Sequence, residues 1–217
     1  MITTVIFDLD QTLLNRTATF TRFLEQQYGR FHDELKGVSA EQFISIILKY
    51  DNNGYTPKQD VYDQLCQEWQ LAIAAELLAD FHENYGFEPV LNEGAIEVLE
   101  KLSQSYQLGL ITNGRTKGQN GKIDQAGLRH FFQTIKISET EGIKKPDPRI
   151  FERCLHDLGT TAKQAVYIGD HPDKDVAAAQ AVGMKGIWVS NPHYNRPDFA
   201  NGVVHHLKEL SDLLKKL

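Results

Sequence analysis

The chain's 217 residues, 41% hydrophobic and 24% charged, suffice for one sizeable domain, or a core domain with a smaller insert, and have the balance of an ordinary soluble protein. A net charge of -6 argues against a nucleic-acid polymer or an anionic membrane surface as the main partner, though not against a local cationic pocket. Cys66 and Cys154 form no Cys-x-x-Cys, no apolar run reaches membrane length and the N-terminus lacks a signal-peptide pattern, so both thiols are expected to be packing residues and the compartment cytoplasmic.

The first element is Val5-Ile6-Phe7, an apolar run that ends in Asp8-Leu9-Asp10 and is followed by turn-compatible residues. It reads as a buried strand of a parallel sheet, with Asp8 at or just past its carboxyl end, where open α/β sheets bind ligands. If strand geometry persists, Asp8 and Asp10 point to one side. Two acids so close need a cation, or one must keep a proton. The pattern then turns helical. Phe20, Phe23, Leu24 and Tyr28 form one set; Phe43, Ile44, Ile47 and Leu48 a second; Val61, Tyr62, Leu65, Cys66 and Trp69 a third; Ile73, Leu77, Leu78, Phe81 and Tyr85 a fourth. Roughly 75 residues of helix is too much for one crossover. Residues 15–88 therefore read as an inserted helical domain, and residues 1–14 with 89–217 as the core. The polar, aromatic stretch from Tyr50 to Tyr55 reads as a surface loop or as a segment that enters the site.

After Gly86-Phe87-Glu88-Pro89, a helix is marked by Ala95, Val98, Leu99 and Leu102, and a strand by Leu108 to Ile111, ending in Thr112-Asn113-Gly114. A helix follows through Ile123 to Ala126, stopped by Gly127. Next come a short strand at Thr134 to Ile137, a helix opened by Asp147-Pro148, and the strand Val166 to Gly169 ending in Asp170. The spacing predicts a further helix from Asp175 to Val182, a strand at Ile187 to Val189, a last short strand at Val203-Val204 and a C-terminal helix. This alternation predicts an α/β fold: a doubly wound, Rossmann-like parallel sheet.

Every chemically suggestive group follows a strand: Asp8 and Asp10, Thr112 and Asn113, and Asp170. In a parallel sheet those ends share one edge. Converging carboxylates make a hard-oxygen site suited to Mg²⁺. Asp175 either supports that ion's shell or is a helix N-terminal acid favoured by the dipole. Thr112 with the N–H of Asn113 suits phosphate oxygens, and Lys144 and Lys145 sit just before a helix, where a cation can offset a carboxylate and a bound phosphate.

Asp8-Leu9-Asp10-Gln11-Thr12-Leu13 resembles the first motif of the haloacid dehalogenase (HAD) superfamily of hydrolases, Asp-x-Asp-Gly-Thr-Leu, with Gln11 in place of the glycine. Leu110-Ile111-Thr112-Asn113-Gly114 resembles its second motif. Gly142 to Pro148 resembles the third, whose lysine directly precedes proline, which selects Lys145. Gly169-Asp170 with Asp175 resembles the fourth, with His171 in place of a small hydroxyl residue. The helical insert resembles the family's cap of the first type. The resemblance implies a phosphatase of a small phosphorylated metabolite: a sugar phosphate, a nucleotide or a phosphoglycolate-like ester. Asp8 would be the nucleophile that forms an aspartyl-phosphate, and Asp10 the general acid and then base. Thr112, Asn113 and Lys145 would grip the phosphoryl group. Asp8, the backbone carbonyl of Asp10 and Asp170 would hold Mg²⁺, with Asp175 behind them. Asp10 disfavours a dehalogenase, because halide needs no proton. Arg16, Arg22 and Lys36 offer no signature of a phosphonate-cleaving relative. A phosphoryl-transferring mutase and a non-catalytic phosphate- or metal-binding protein are the alternatives. A monomer or homodimer is expected.

Overall fold

A computed structural model describes residues 1–35 and 37–217; Lys36 lies outside the described residues. The chain forms two compact units, one made of Met1–Asn15 with Pro89–Leu217 and the other of Arg16–Glu88.

The second unit is helical: α1 (Arg16–Arg30), α2 (Ala40–Asp51), α3 (Lys58–Trp69) and α4 (Ala74–Asn84). The four apolar sets read from the sequence supply its core, with Phe20, Leu24, Phe43, Ile47, Val61, Tyr62, Leu65 and Leu77 all buried. Each such side chain contributes about 1.5–3 kcal/mol on leaving water. A capping box opens α2. The Ser39 hydroxyl accepts from the Gln42 N–H at 3.2 Å, and the Gln42 side chain accepts from the Ser39 N–H at 2.9 Å. The helix ends at Asn52 and Asn53, both left-handed. Gln27 ties three helices together: its amide donates to the Leu77 carbonyl at 2.9 Å and accepts from the Tyr62 hydroxyl at 2.9 Å. Asp51, at the head of the Tyr50–Tyr55 stretch, is buried in ion pairs with Arg16 at 2.9 Å and with Lys58.

The other unit carries a sheet of six parallel strands: β1 (Thr4–Phe7), β2 (Gln107–Thr112), β3 (Thr134–Ile137), β4 (Ala165–Gly169), β5 (Lys185–Val189) and β6 (Gly202–Val204). They lie in the order β3-β2-β1-β4-β5-β6. Helices α5 (Ala95–Ser103), α6 (Thr116–Gln125), α7 (Ser138–Glu141), α8 (Pro148–Asp157) and α9 (Ala178–Ala181) lie between the strands in sequence, and α10 (Leu210–Leu214) follows β6. Strand alternation sends side chains both ways. Val5, Phe7, Leu110 and Ile168 pack with α5 and α10 on one face, whereas Ile6, Ile111 and Tyr167 pack with α8 and α9 on the other. This is the doubly wound α/β fold the alternation predicts. Among the described residues, no helix is long and apolar enough to cross a membrane. Both cysteines are buried and unbridged, and burial pushes the Cys154 thiol up to about 12.

Two local expectations are corrected. Strand geometry does not persist to Asp10: β1 stops at Phe7, the Leu13 and Leu14 N–H groups both turn back to the Leu9 carbonyl at 2.9 Å, and Gln11 is left-handed with φ 61°. A residue with a Cβ is strained there by about 1–2 kcal/mol, and a glycine is not. The helix expected from Asp175 starts earlier, as a wide π-helical turn over Pro172–Ala177 that leads into α9. The His171 ring caps it: Nδ1 accepts from the N–H of Asp173 at 3.1 Å and of Lys174 at 3.3 Å, and Pro172 occupies the first position.

Candidate active site

Asp8 and Asp170 each follow the last residue of neighbouring central strands. Phe7 of β1 pairs with Ile168 of β4, and the Asp8 N–H continues the ladder to the Ile168 carbonyl at 2.8 Å. Both carboxylates are buried. Asp175 joins them from the wide turn, 1% exposed. Its approach depends on Gly169: a Cβ there would lie 2.5 Å from the Asp175 carboxyl carbon. One oxygen from each of Asp8, Asp170 and Asp175 lies within 4.8 Å of the others.

The lysine that precedes Pro146 reaches into this cluster and is fully engaged. Lys145 Nζ donates to Asp8 Oδ1 at 2.7 Å, to Asp175 Oδ1 at 2.6 Å and to the Tyr167 hydroxyl at 2.9 Å, which uses its three N–H bonds. Tyr167 in turn donates to the Ile111 carbonyl at 3.0 Å. The second Asp175 oxygen accepts from the His171 N–H at 3.0 Å. Asp170 is held by the Asn191 amide at 2.6 Å, and its carbonyl accepts from the Trp188 indole at 2.5 Å. One ammonium among three carboxylates leaves a negative surplus. Burial pushes Asp8 up to about 7, against the pull of Lys145 and with Asp175 adding to the rise. Burial, then Asp175 and Asp8, also hold Asp170 well above the usual carboxylate range. For Lys145, burial favours the neutral amine, but the charges of Asp175 and Asp8 outweigh it and raise its pKa.

Asp10 faces a different set. Its oxygens accept from Lys122 Nζ at 2.7 and 2.6 Å and from the Gln119 amide at 3.0 Å. Thr112 ends β2 and is buried; its hydroxyl accepts from the same Gln119 amide at 2.5 Å. The Asn113 side chain clamps the Lys145 peptide. Its oxygen accepts from the Lys145 N–H at 2.9 Å and its amide donates to the Lys145 carbonyl at 3.0 Å, so the expected phosphate contact falls to its backbone N–H. Lys144 is not part of these contacts.

A profile of the haloacid dehalogenase-like hydrolases matches residues 5–189. The chain belongs to that family. This HAD-like hydrolase is 30% identical over 228 residues to the pyrimidine 5'-nucleotidase YjjG of Escherichia coli, an alignment covering 98% of this chain and 97% of that protein. It is 30% identical over 209 residues to the glyceraldehyde 3-phosphate phosphatase of Pyrococcus abyssi, covering 87% and 81%. With the phosphoserine phosphatase of Thermus thermophilus it shares 36% over 116 residues, so the matched stretch spans less than half, 47%, of that relative's length. Among solved structures, the HAD-hydrolase YfnB of Bacillus subtilis, bound to magnesium, superposes with a TM-score of 0.81 over 98% of each chain at 23% identity, a likeness of fold. The all-helical insert after β1 is the first type of cap in this family.

The hydrolase motifs name only part of the constellation. Gln119, Lys122, Tyr167 and Asn191 all touch the expected site residues, yet none stands out in the sequence. Gln119 and Lys122 lie three apart in a helix that shows little apolar periodicity, so nothing in the sequence marks the face they share as the inward one. Asn191 lies just past β5, at the same sheet edge as Asp8 and Asp170.

Proposed function

We propose that this protein is a Mg²⁺-dependent phosphatase of small phosphomonoesters that works through an aspartyl-phosphate on Asp8. The observation that carries the reading is Asp8 itself: a buried carboxylate at the carboxyl end of a central strand, paired with Lys145 inside a cluster of three acids. Phosphatase and nucleotidase relatives that align over most of the chain support it.

The donor set fits a hard divalent cation. The carboxylates of Asp8 and Asp170 and the backbone carbonyl of Asp10 would hold Mg²⁺, with Asp175 behind them, and the surplus negative charge calls for a cation. When bound, Mg²⁺ supplies charge neutralisation between Asp8 and the phosphoryl group. The other steps belong to the chain. An Asp8 oxygen attacks phosphorus in line as the ester P–O bond breaks, and Asp10 gives its proton to the departing alkoxide. Water then attacks the acyl-phosphate and releases inorganic phosphate, with Asp10 taking the water's proton. The Thr112 hydroxyl and the Asn113 N–H hold phosphoryl oxygens, and Lys145 offsets their charge. Such fixed donors are each worth on the order of 10²–10³ in rate.

Hydrolysis of p-nitrophenyl phosphate tests this. The protein turns over with Mg²⁺, loses activity with a chelator and regains it on adding Mg²⁺, and Asp8→Asn is inactive. Turnover by Asp8→Asn, or turnover that ignores the chelator, overturns the reading. A panel of sugar phosphates, nucleoside monophosphates and phosphoglycolate, ranked by kcat/KM, then assigns the substrate class.

A further inference from the structure

The helix after β2 carries two polar residues, Gln119 and Lys122, that no part of the scheme above uses. They lie three positions apart, on one face, and are 4% and 2% exposed. A lysine is almost never buried unless paired, and this one meets both oxygens of Asp10. Gln119 Nε2 lies within reach of Asp10 Oδ2 at 3.0 Å, the Thr112 hydroxyl oxygen at 2.5 Å and the Asn113 carbonyl at 3.3 Å. A carboxylate and a carbonyl only accept, so the amide nitrogen, not its oxygen, must face them. The backbone leaves room for this amide: a Cβ on Gly114 would sit 2.9 Å from Gln119 Cγ and Cδ.

We propose that Lys122 and Gln119 are positioning residues that fix the Asp10 carboxylate and tie it to Thr112. The inference rests on the reading of Asp10 as the group that handles the leaving-group proton. Asp10 lies beyond the end of β1 beside left-handed Gln11, and its side chain is 21% exposed. One contact would leave it free to turn about its side-chain bonds. An ammonium meeting both oxygens, with an amide on one of them, fixes where the carboxylate stands. When Oδ1 carries the leaving-group proton, the ammonium and the amide still hold Oδ2. The same amide occupies a lone pair of the Thr112 oxygen, so the Thr112 proton points elsewhere, available to a phosphoryl oxygen. A proton donor set in the wrong place loses rate, and a purely structural ion pair does not lose it selectively.

The test compares phenyl phosphate with p-nitrophenyl phosphate, whose leaving group needs a proton less. All assays contain Mg²⁺. The variants are Lys122→Met, Lys122→Arg, Gln119→Leu and Asp10→Asn. Lys122→Met lowers kcat on phenyl phosphate by about 10²-fold, the scale of a misplaced reacting group. It loses clearly less on p-nitrophenyl phosphate, KM and the inhibition constant of inorganic phosphate barely move, and Lys122→Arg restores much of the loss. Equal losses on both esters, a loss confined to KM, or no loss overturns the proposal if Asp10→Asn does discriminate between the esters. If Asp10→Asn does not discriminate, the proton-handling reading of Asp10 fails, and this inference with it. Should Lys122→Met not fold, Gln119→Leu carries the comparison, with the same unequal loss expected and an equal loss or none overturning it.

Discussion

Tyr167 shows how much a single hydroxyl can organise. It accepts from Lys145 at 2.9 Å and donates to the Ile111 carbonyl at 3.0 Å, wholly out of water. Tyr167→Phe keeps the ring and leaves both partners short of a bond, a loss of about 1–3 kcal/mol for a buried group. Urea unfolding is expected to show that loss. The residues visible in the sequence were those that terminate an apolar run, because Asp8, Thr112 and Asp170 sit where a strand must stop. Tyr167 was hidden inside such a run: Val166-Tyr167-Ile168 reads as packing, and only the fold brings its hydroxyl to Lys145. Lys122 was hidden because a lysine in a helix is ordinarily solvated, and nothing local marks an inward face.

At the scale of elements, β1 and the turn before α9 are where expectation and structure part. Apolar runs located the strands, because a buried strand needs a continuous apolar stretch, but the run says little about its last residue. The turn over Pro172–Ala177 has a wide pitch that the 3.6-residue period does not describe, so periodicity found the helix only from Asp175 onward. His171 is the cap of that turn, and its ring lies against Tyr194 with centroids 4.7 Å apart. His171→Ala removes the acceptor of two N–H groups and costs about 0.5–2 kcal/mol, the usual range for a lost cap. Because the turn carries Asp175, the variant is also expected to bind Mg²⁺ more weakly by calorimetry; unchanged stability and affinity would remove His171 from that role.

For the molecule as a whole, the order β3-β2-β1-β4-β5-β6 makes β1 and β4 neighbours where the winding reverses, the place at which doubly wound sheets bind ligands. Strand order was not written in the sequence; the shared edge followed from parallel pairing alone. The acids gathered there set a pH dependence. Burial holds Asp8 up to about 7 and Asp170 well above its ordinary value, so in the fold they keep protons that the unfolded chain has already released. The native state then binds more protons than the unfolded state, and stability falls as pH rises from about 4 toward about 7. In metal-free protein, Tm is expected to drop between about pH 5 and about pH 7, and Mg²⁺ to raise Tm more at the higher value, where binding releases fewer protons. A Tm that climbs across that window without metal contradicts this account.

The Asn113 side chain grips Lys145 by both its backbone N–H and its carbonyl, across a gap of 32 residues in the chain. Two loops are thereby stitched into one slab, with the turn after β2 laid against the backbone that carries the Lys145 ammonium. For the phosphoryl transfer proposed above, donors fastened in this way leave little rearrangement to the instant of reaction.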